Sequence, residues 1–253
     1  MQFPPGWPAV AVPQKIAAGQ IHIWGWPLDS SFGSTSQEKS QIGLLDAHEL
    51  ERFHRFHFEG DRARFAFAHA NLRRILGAYL GREPERLLFG ANSLGKPELV
   101  TDAHTHPIHF NLSHSRNIAL LAISIDTELG IDVEDLLPIE PEVAESHFSP
   151  TERAALSTLE GAAWLQGFYH CWTRKEAILK AEGVGLSLPL SSFDVSLIPG
   201  LPAQVLGVRP PAVFRRPWTL HNLATPFGTV AALAAGSLQA EVLCFRFGDI
   251  TSV

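Results

Sequence analysis

The sequence predicts an α+β chain built from two halves of similar layout, and three observations carry that prediction. Phe65, Ala68, Leu72, Ile75, Leu76 and Tyr79 fall on one stripe of a long helix that Gly81 stops. A second long helix, residues 164–182, carries Trp172, Glu176 and Lys180 at four-residue spacing and ends at Gly183 and Gly185. Around each helix lie several short β-type runs, in the same rough order, although no residue-level repeat is visible. We place the boundary near Thr127, which gives residues 1–127 and 128–253 as the two halves.

After a proline-rich opening, Ile21 to Trp26 alternates as a strand, and Asp29 to Ser36 is a polar connector. Leu44 to Phe53 reads as a short helix running into an aromatic, histidine-rich turn. Asp61 is positioned to cap the first long helix, on which Arg62, Arg64, Arg73 and Arg74 form the densest basic cluster of the chain, read as a solvated face. Residues 87–99 are rich in turn signals and hold Gly95-Lys96-Pro97, where a rigid proline after Lys96 and a permissive glycine before it set the direction of an ammonium. Ile108 to Leu112 is strand-like and delivers Ser113, His114 and Ser115 at its end. Ile118 to Ile125 and Gly130 to Glu134 are two β runs joined by a short connection, which predicts a hairpin.

In the second half, Ser149-Pro-Thr-Glu152 is a capping box with proline at the first helical position, opening a helix to about Leu159 that Gly161 breaks. The long helix follows from Trp164. Phe193 to Leu197, Trp218 to Leu223, Thr229 to Ala235 and Ala240 to Phe247 are β runs, with prolines marking loops over 199–217.

Two stretches carry chemistry. In Gly130-Ile-Asp-Val-Glu134 the carboxylates alternate with apolar residues, so Asp132 and Glu134 share one face of a strand. Adjacent carboxylates on an otherwise apolar strand repel unless a cation or solvent neutralises them. Hard oxygen donors without cysteine or histidine at ligand spacing favour Mg²⁺, or Mn²⁺, over zinc. Glu176 and Lys180, one turn apart, are alone no more than a helix-surface ion pair stabilising by a few tenths of a kcal/mol. The carboxylate strand gives them a second meaning.

Composition bounds the rest. With 253 residues and 45% hydrophobic content the chain fills a core. A net charge of −6 argues against a nucleic-acid binder, which needs a basic surface. Cys171 and Cys244, the two cysteines, sit in no metal or redox spacing, so a reducing cytoplasm without a disulfide is expected. Met1 to Pro8 lacks the pattern of a signal peptide, and no run approaches the roughly 20 apolar residues of a membrane span.

Gly95-Lys96-Pro97, Asn111-Leu-Ser-His-Ser115, Gly130-Ile-Asp-Val-Glu134 and Trp172-Thr-Arg-Lys-Glu-Ala-Ile-Leu-Lys180, in this order and followed by Gly183 and Gly185, resemble the surfactin-type 4′-phosphopantetheinyl transferases, and cyanobacterial members most. The resemblance spans roughly residues 44 to 195 and implies a pseudo-dimer of two α/β halves with the active site at their interface. It implies transfer of the phosphopantetheine arm of coenzyme A to a serine of an apo acyl or peptidyl carrier protein. By the same resemblance, Asp132, Glu134 and Glu176 hold Mg²⁺, Glu176 and Lys180 are catalytic, and Arg64, Lys96, Ser113, His114 and Lys180 bind coenzyme A. The chain departs from the pattern upstream of Arg64, where His48 and Glu51 replace lysines and Arg52 or Arg55 stand as substitutes. A chain that already holds both halves has no need to dimerise, so a monomer is expected. A non-catalytic module holding coenzyme A and a metal-dependent phosphodiesterase are the competing readings; retention of three carboxylates with Lys180 argues against the first.

Overall fold

The computed structural model describes residues 1–11, 13, 15–28, 35–92, 95–100 and 108–248. In the first half the strands β1 (Ala9–Val10) and β2 (Gln20–Pro27) precede helices α1 (Thr35–Ile42), α2 (Ala47–Arg55) and α3 (Glu59–Leu80). Residues 29–34 of the expected connector lie outside the described residues. Helix α2 starts later than the apolar pattern indicated because Asp46 caps it: its side chain accepts from the Glu49 N–H while Glu49 bonds back to Asp46 N. Asp61 does not cap α3. The cap position is Phe58, three residues earlier, and Asp61 sits in the first turn bound to Arg64, while Gly81 stops the helix in the left-handed conformation at φ 61°.

The short strands β3 (Phe89–Ala91) and β4 (Pro97–Leu99) follow, then β5 (His109–Ser115), β6 (Ile118–Ser124) and β7 (Leu129–Asp135). Strand β5 pairs with β6 along its whole length, so Ser113, His114 and Ser115 lie within the strand and not beyond it. The expected hairpin between the runs at 118–125 and 130–134 is not formed. Strand β6 already has β2 on one edge and β5 on the other, and β7 pairs instead with a strand a hundred residues downstream.

The second half continues with α4 (Pro141–His147), α5 (Pro150–Leu156) and α6 (Gly161–Glu182), then β8 (Phe193–Val195), β9 (Val205–Val208), β10 (Thr219–Leu223), β11 (Thr229–Ala235) and β12 (Glu241–Phe247). The capping box of Ser149 and Glu152 opens α5 as expected. Gly161 does not break a helix but begins α6, and α4 and β9 had no signal strong enough to read.

The strands form two main sheets, ordered β1-β12-β2-β6-β5 and β10-β11-β7. Strand β12, although part of the second stretch of chain, lies parallel to β2 in the first sheet. The sheets face each other across a core of Ile21, Ile23, Leu120, Ile131, Val133 and Leu233, with α3 packed on the outer face of the first and α6 on that of the second. Both faces of β6 are therefore covered, which is why its seven residues are all buried and read as an unbroken apolar run.

The halves repeat each other in detail. The core strands run β2-β6-β5 in one and β7-β11-β10 in the other, first strand against third against second, all antiparallel. Each long helix has 22 residues. Counting from Glu59 and Gly161, the same position holds a fully buried cation, Arg73 or Lys175, paired with the glutamate of the preceding capping box: Arg73 Nε donates to Glu49 at 2.7 Å and Lys175 Nζ lies 2.8 Å from Glu152. Arg73 also meets the Pro84 and Leu87 carbonyls, so it belongs to the interior and not to the solvated face expected for it. Opposite the fourth and second residues of the middle strand stand Trp24 and Trp26 in the first half, and Asp132 and Glu134 in the second. The first half fills with aromatics the place where the second carries charge.

Candidate active site

Helix α6 exposes a narrow stripe. Thr173, Arg174, Lys175, Ala177, Ile178 and Leu179 are buried, whereas Trp172, Glu176 and Lys180 are half-buried and share one face. Beside this stripe the helix packs on β7, and Gly130 lets the two backbones meet: a Cβ there would stand 2.2 Å from the Ala177 oxygen. Lys180 Nζ donates to Asp132 Oδ1 at 2.6 Å and to Ser113 Oγ at 2.9 Å, and Ser113 in turn donates to the same Asp132 oxygen at 3.0 Å. Asp132, Ser113 and Lys180 are thus one contact cluster drawn from β7, β5 and α6. Ser115 Oγ donates to Glu134 Oε2 at 3.0 Å.

The electrostatics are those of crowded carboxylates. Burial, then the charge of Asp132, pushes the Glu134 carboxyl up to about 7. The same two causes raise Glu176, with Lys180 opposing. Asp132 Oδ2 is buried without a hydrogen-bond partner. Among the described residues no group of three or more His, Cys, Asp or Glu side chains is placed to hold a metal ion as it stands. The oxygens fit a hard divalent cation in type and charge: one carboxylate oxygen is orphaned, and both glutamates are destabilised as anions by a neighbour that a cation would neutralise.

Beside the cluster lies a cavity of about 660 Å³, walled by residues of both halves, among them His48, Arg52, His69, Phe89, Lys96, His114, Lys180 and Gly183. His114 lines the cavity and is exposed on that side, with cationic groups around it. Burial first, then the nearby His69, Lys180, Arg52 and Arg64, lowers its ionisation to about 4, so the ring is neutral at pH 7 and offers one N–H. Arg64 does not line this cavity; its guanidinium is bound to Asp61 at 2.5 Å, while Arg52 lies in the wall over the Phe65 ring. Arg55 points elsewhere, in an exposed pair with Glu51.

Lys96 bridges the halves, donating to the carbonyls of Leu129 at 3.0 Å and Ala181 at 3.3 Å. Burial lowers its ionisation from 10.5 to about 8. The folded chain therefore holds this proton more weakly than the unfolded chain, and between pH 8 and 10.5 the lysine makes stability rise with pH. Denaturant midpoints measured across that window should climb less in Lys96→Met than in the wild type.

The motif reading missed residues whose work is structural. Arg174, buried, donates to Ser196 and to Asn222 Oδ1 at 2.8 Å, and Glu182 accepts from Arg215 and from Trp218 Nε1 at 2.6 Å. The capping box Asp46-Ala-His-Glu49 was legible, and with it an anchor for a buried cation.

Two family models match the chain: the 4′-phosphopantetheinyl transferase superfamily over residues 128–228, and the N-terminal 4′-phosphopantetheinyl transferase model over residues 33–126. The 4′-phosphopantetheinyl transferase HetI of Nostoc sp. is 36% identical over 221 residues, covering 87% of this chain and 89% of that protein. A putative 4′-phosphopantetheinyl transferase of Synechocystis sp. is 36% identical over 171 residues, 66% of this chain and 67% of its own. The 4′-phosphopantetheinyl transferase Sfp of Bacillus subtilis is 32% identical over 179 residues, 70% of this chain and 77% of its own. With matching models on both halves and a relative aligned over nearly its whole length, this chain belongs to the Sfp-type 4′-phosphopantetheinyl transferase family.

Proposed function

We propose that this chain transfers the 4′-phosphopantetheine arm of coenzyme A to a serine of an apo acyl or peptidyl carrier protein, releasing 3′,5′-ADP. We further propose that residues 1–127 and 128–253 act as a pseudo-dimer with the active site at their interface. The observation that carries this reading is the Asp132–Ser113–Lys180 cluster: it unites residues from both sides of Thr127, and Lys180 also walls a cavity of nucleotide size. The matched 22-residue helices with their equivalent buried cations support the pseudo-dimer. Both halves stand in one chain, which favours a monomer. Among the described residues no helix is long and apolar enough to cross a membrane, and Cys171 and Cys244 are both free, which favours the cytoplasm.

Asp132, Glu134 and Glu176 would hold a divalent cation, Mg²⁺ or Mn²⁺, which when bound neutralises the pyrophosphate of coenzyme A. Glu176 takes the proton of the carrier serine as its oxygen bonds to phosphorus; the bond from that phosphorus to the ADP oxygen breaks, and the leaving oxygen keeps the electron pair. Burial raises the proton affinity of Glu176, which strengthens it as a base, while a bound cation would offset the neighbouring charge of Asp132. Lys180 stabilises charge developing in the transition state. Lys96, Ser113 and neutral His114 bind and orient the phosphates, and Arg64 takes the 3′-phosphate.

Incubation with coenzyme A, Mg²⁺ and an apo carrier protein should add the mass of the phosphopantetheine arm to the carrier; an unmodified carrier with coenzyme A consumed by water would favour a phosphodiesterase. Arg64→Ala should raise the KM for coenzyme A much more than for dephospho-coenzyme A, which lacks the 3′-phosphate. Equal effects on the two would move that contact to Arg52, already in the cavity wall.

A further inference from the structure

Strands β5 and β7 are the facing edges of the two sheets, and side chains of β5 stand in for backbone between them. Asn111 Oδ1 accepts from the Ile131 N–H at 2.8 Å, Ser113 Oγ from Val133 at 3.4 Å and Ser115 Oγ from Asp135 at 3.1 Å. A serine hydroxyl that accepts in this way still has one proton to give. Ser113 gives it to Asp132 Oδ1 and Ser115 gives it to Glu134 Oε2, both at 3.0 Å. The third rung faces Gly130, which has no side chain to receive anything. Each carboxylate thus has one oxygen tied to the first half and the other left over: Oδ2 of Asp132, and Oε1 of Glu134.

We propose that Ser115 is a positioning residue for the transfer reaction: its hydroxyl, clamped by the Asp135 N–H, fixes the rotamer of Glu134 so that Oε1 is presented to the divalent cation. Strand β5 of one half thereby aims a donor atom of the other, and register across the seam and geometry at the site become one property. The proposal rests on the reading of Asp132 and Glu134 as cation ligands. Ser115 donates to no group but Glu134, whereas Ser113 is shared with Lys180, so substitution at 115 isolates the positioning effect.

The test is Mn²⁺ binding to the coenzyme-free protein, followed by electron paramagnetic resonance. Removing an outer hydrogen bond to a ligand typically weakens metal affinity 10- to 100-fold, so Ser115→Ala should weaken Mn²⁺ binding by about that factor, and Ser115→Thr, which keeps the hydroxyl, should restore most of it. Asn111→Ala removes a rung that touches no carboxylate; it should lower the thermal midpoint and leave Mn²⁺ affinity unchanged. Wild-type Mn²⁺ affinity in Ser115→Ala, or an equal loss in Asn111→Ala, overturns the proposal, the second because general loosening of the seam would then account for the effect. Asp132→Ala separates this failure from that of the underlying reading: Mn²⁺ binding that survives Asp132→Ala removes the cation site itself.

Discussion

Replacing Glu176 by Gln lowers the single-turnover rate of phosphopantetheine transfer by roughly 10² to 10⁴ while weakening coenzyme A binding much less. The substitution keeps the shape of the side chain and one oxygen, but removes the charge and the basicity. Glu176 must be ionised to accept the serine proton, so the wild-type rate should rise with pH through its ionisation, an acidic limb. Gln has no such ionisation, and that acidic limb should disappear. Lys180→Ala is the contrasting case. It removes the ammonium that donates to Asp132 and Ser113, so transition-state charge is less stabilised and the rate falls, yet an acidic limb remains because the base is intact, moved to higher pH because Lys180 no longer favours the Glu176 anion. An acidic limb unchanged in Glu176→Gln would assign the proton transfer to another group, a water held beside Asp132 and Glu134 being the nearest alternative.

The second large effect is on the fold. Gly130→Ala places a Cβ 2.2 Å from the Ala177 oxygen, 2.3 Å from the Ala181 nitrogen and 2.9 Å from the Lys180 carbonyl carbon. All three are backbone atoms of α6, so no side-chain rotation relieves the clash; the helix must move off the strand. Overpacking of ordinary cores costs about 1–3 kcal/mol, and a rigid helix face puts this site at or beyond the upper end. That is a large share of the roughly 5–15 kcal/mol by which domains are stable. The denaturant midpoint should fall steeply, and transfer should fall with it, because the displacement parts Lys180 from Asp132. Gly60→Ala is the control: the added methyl meets only the flexible Arg64 head, at 3.5 Å or more, and in the first turn of α3 it should stabilise by about 0.5–1 kcal/mol. A wild-type midpoint in Gly130→Ala would mean that α6 and β7 are not in contact at this point in solution.

The sequence alone determined what depends on spacing along a few residues. Period two put Asp132 and Glu134 on one face, period four put Trp172, Glu176 and Lys180 on one stripe, and both appear in the structure because side-chain direction follows from local backbone geometry. The glycine stops and the Ser149–Glu152 capping box were legible for the same reason. Partner choice was not local. Strand β7 looked like the second arm of a hairpin, but whether β6 had a free edge depended on β2, about a hundred residues away, and on β5. Strand β12 reads as one more strand of the second half, and only burial against both neighbours placed it between β1 and β2. Arg73 was indistinguishable from its half-buried neighbours Arg62 and Arg64 until the packing of α2 on α3 brought Glu49 and Asp46 to it, since a charge enters a core only where its partner is already waiting. The hydroxyl of Ser115 shows the same limit at the site: alternating polar residues in β5 were visible, but that they bond across to β7 was decided when two sheet edges came together.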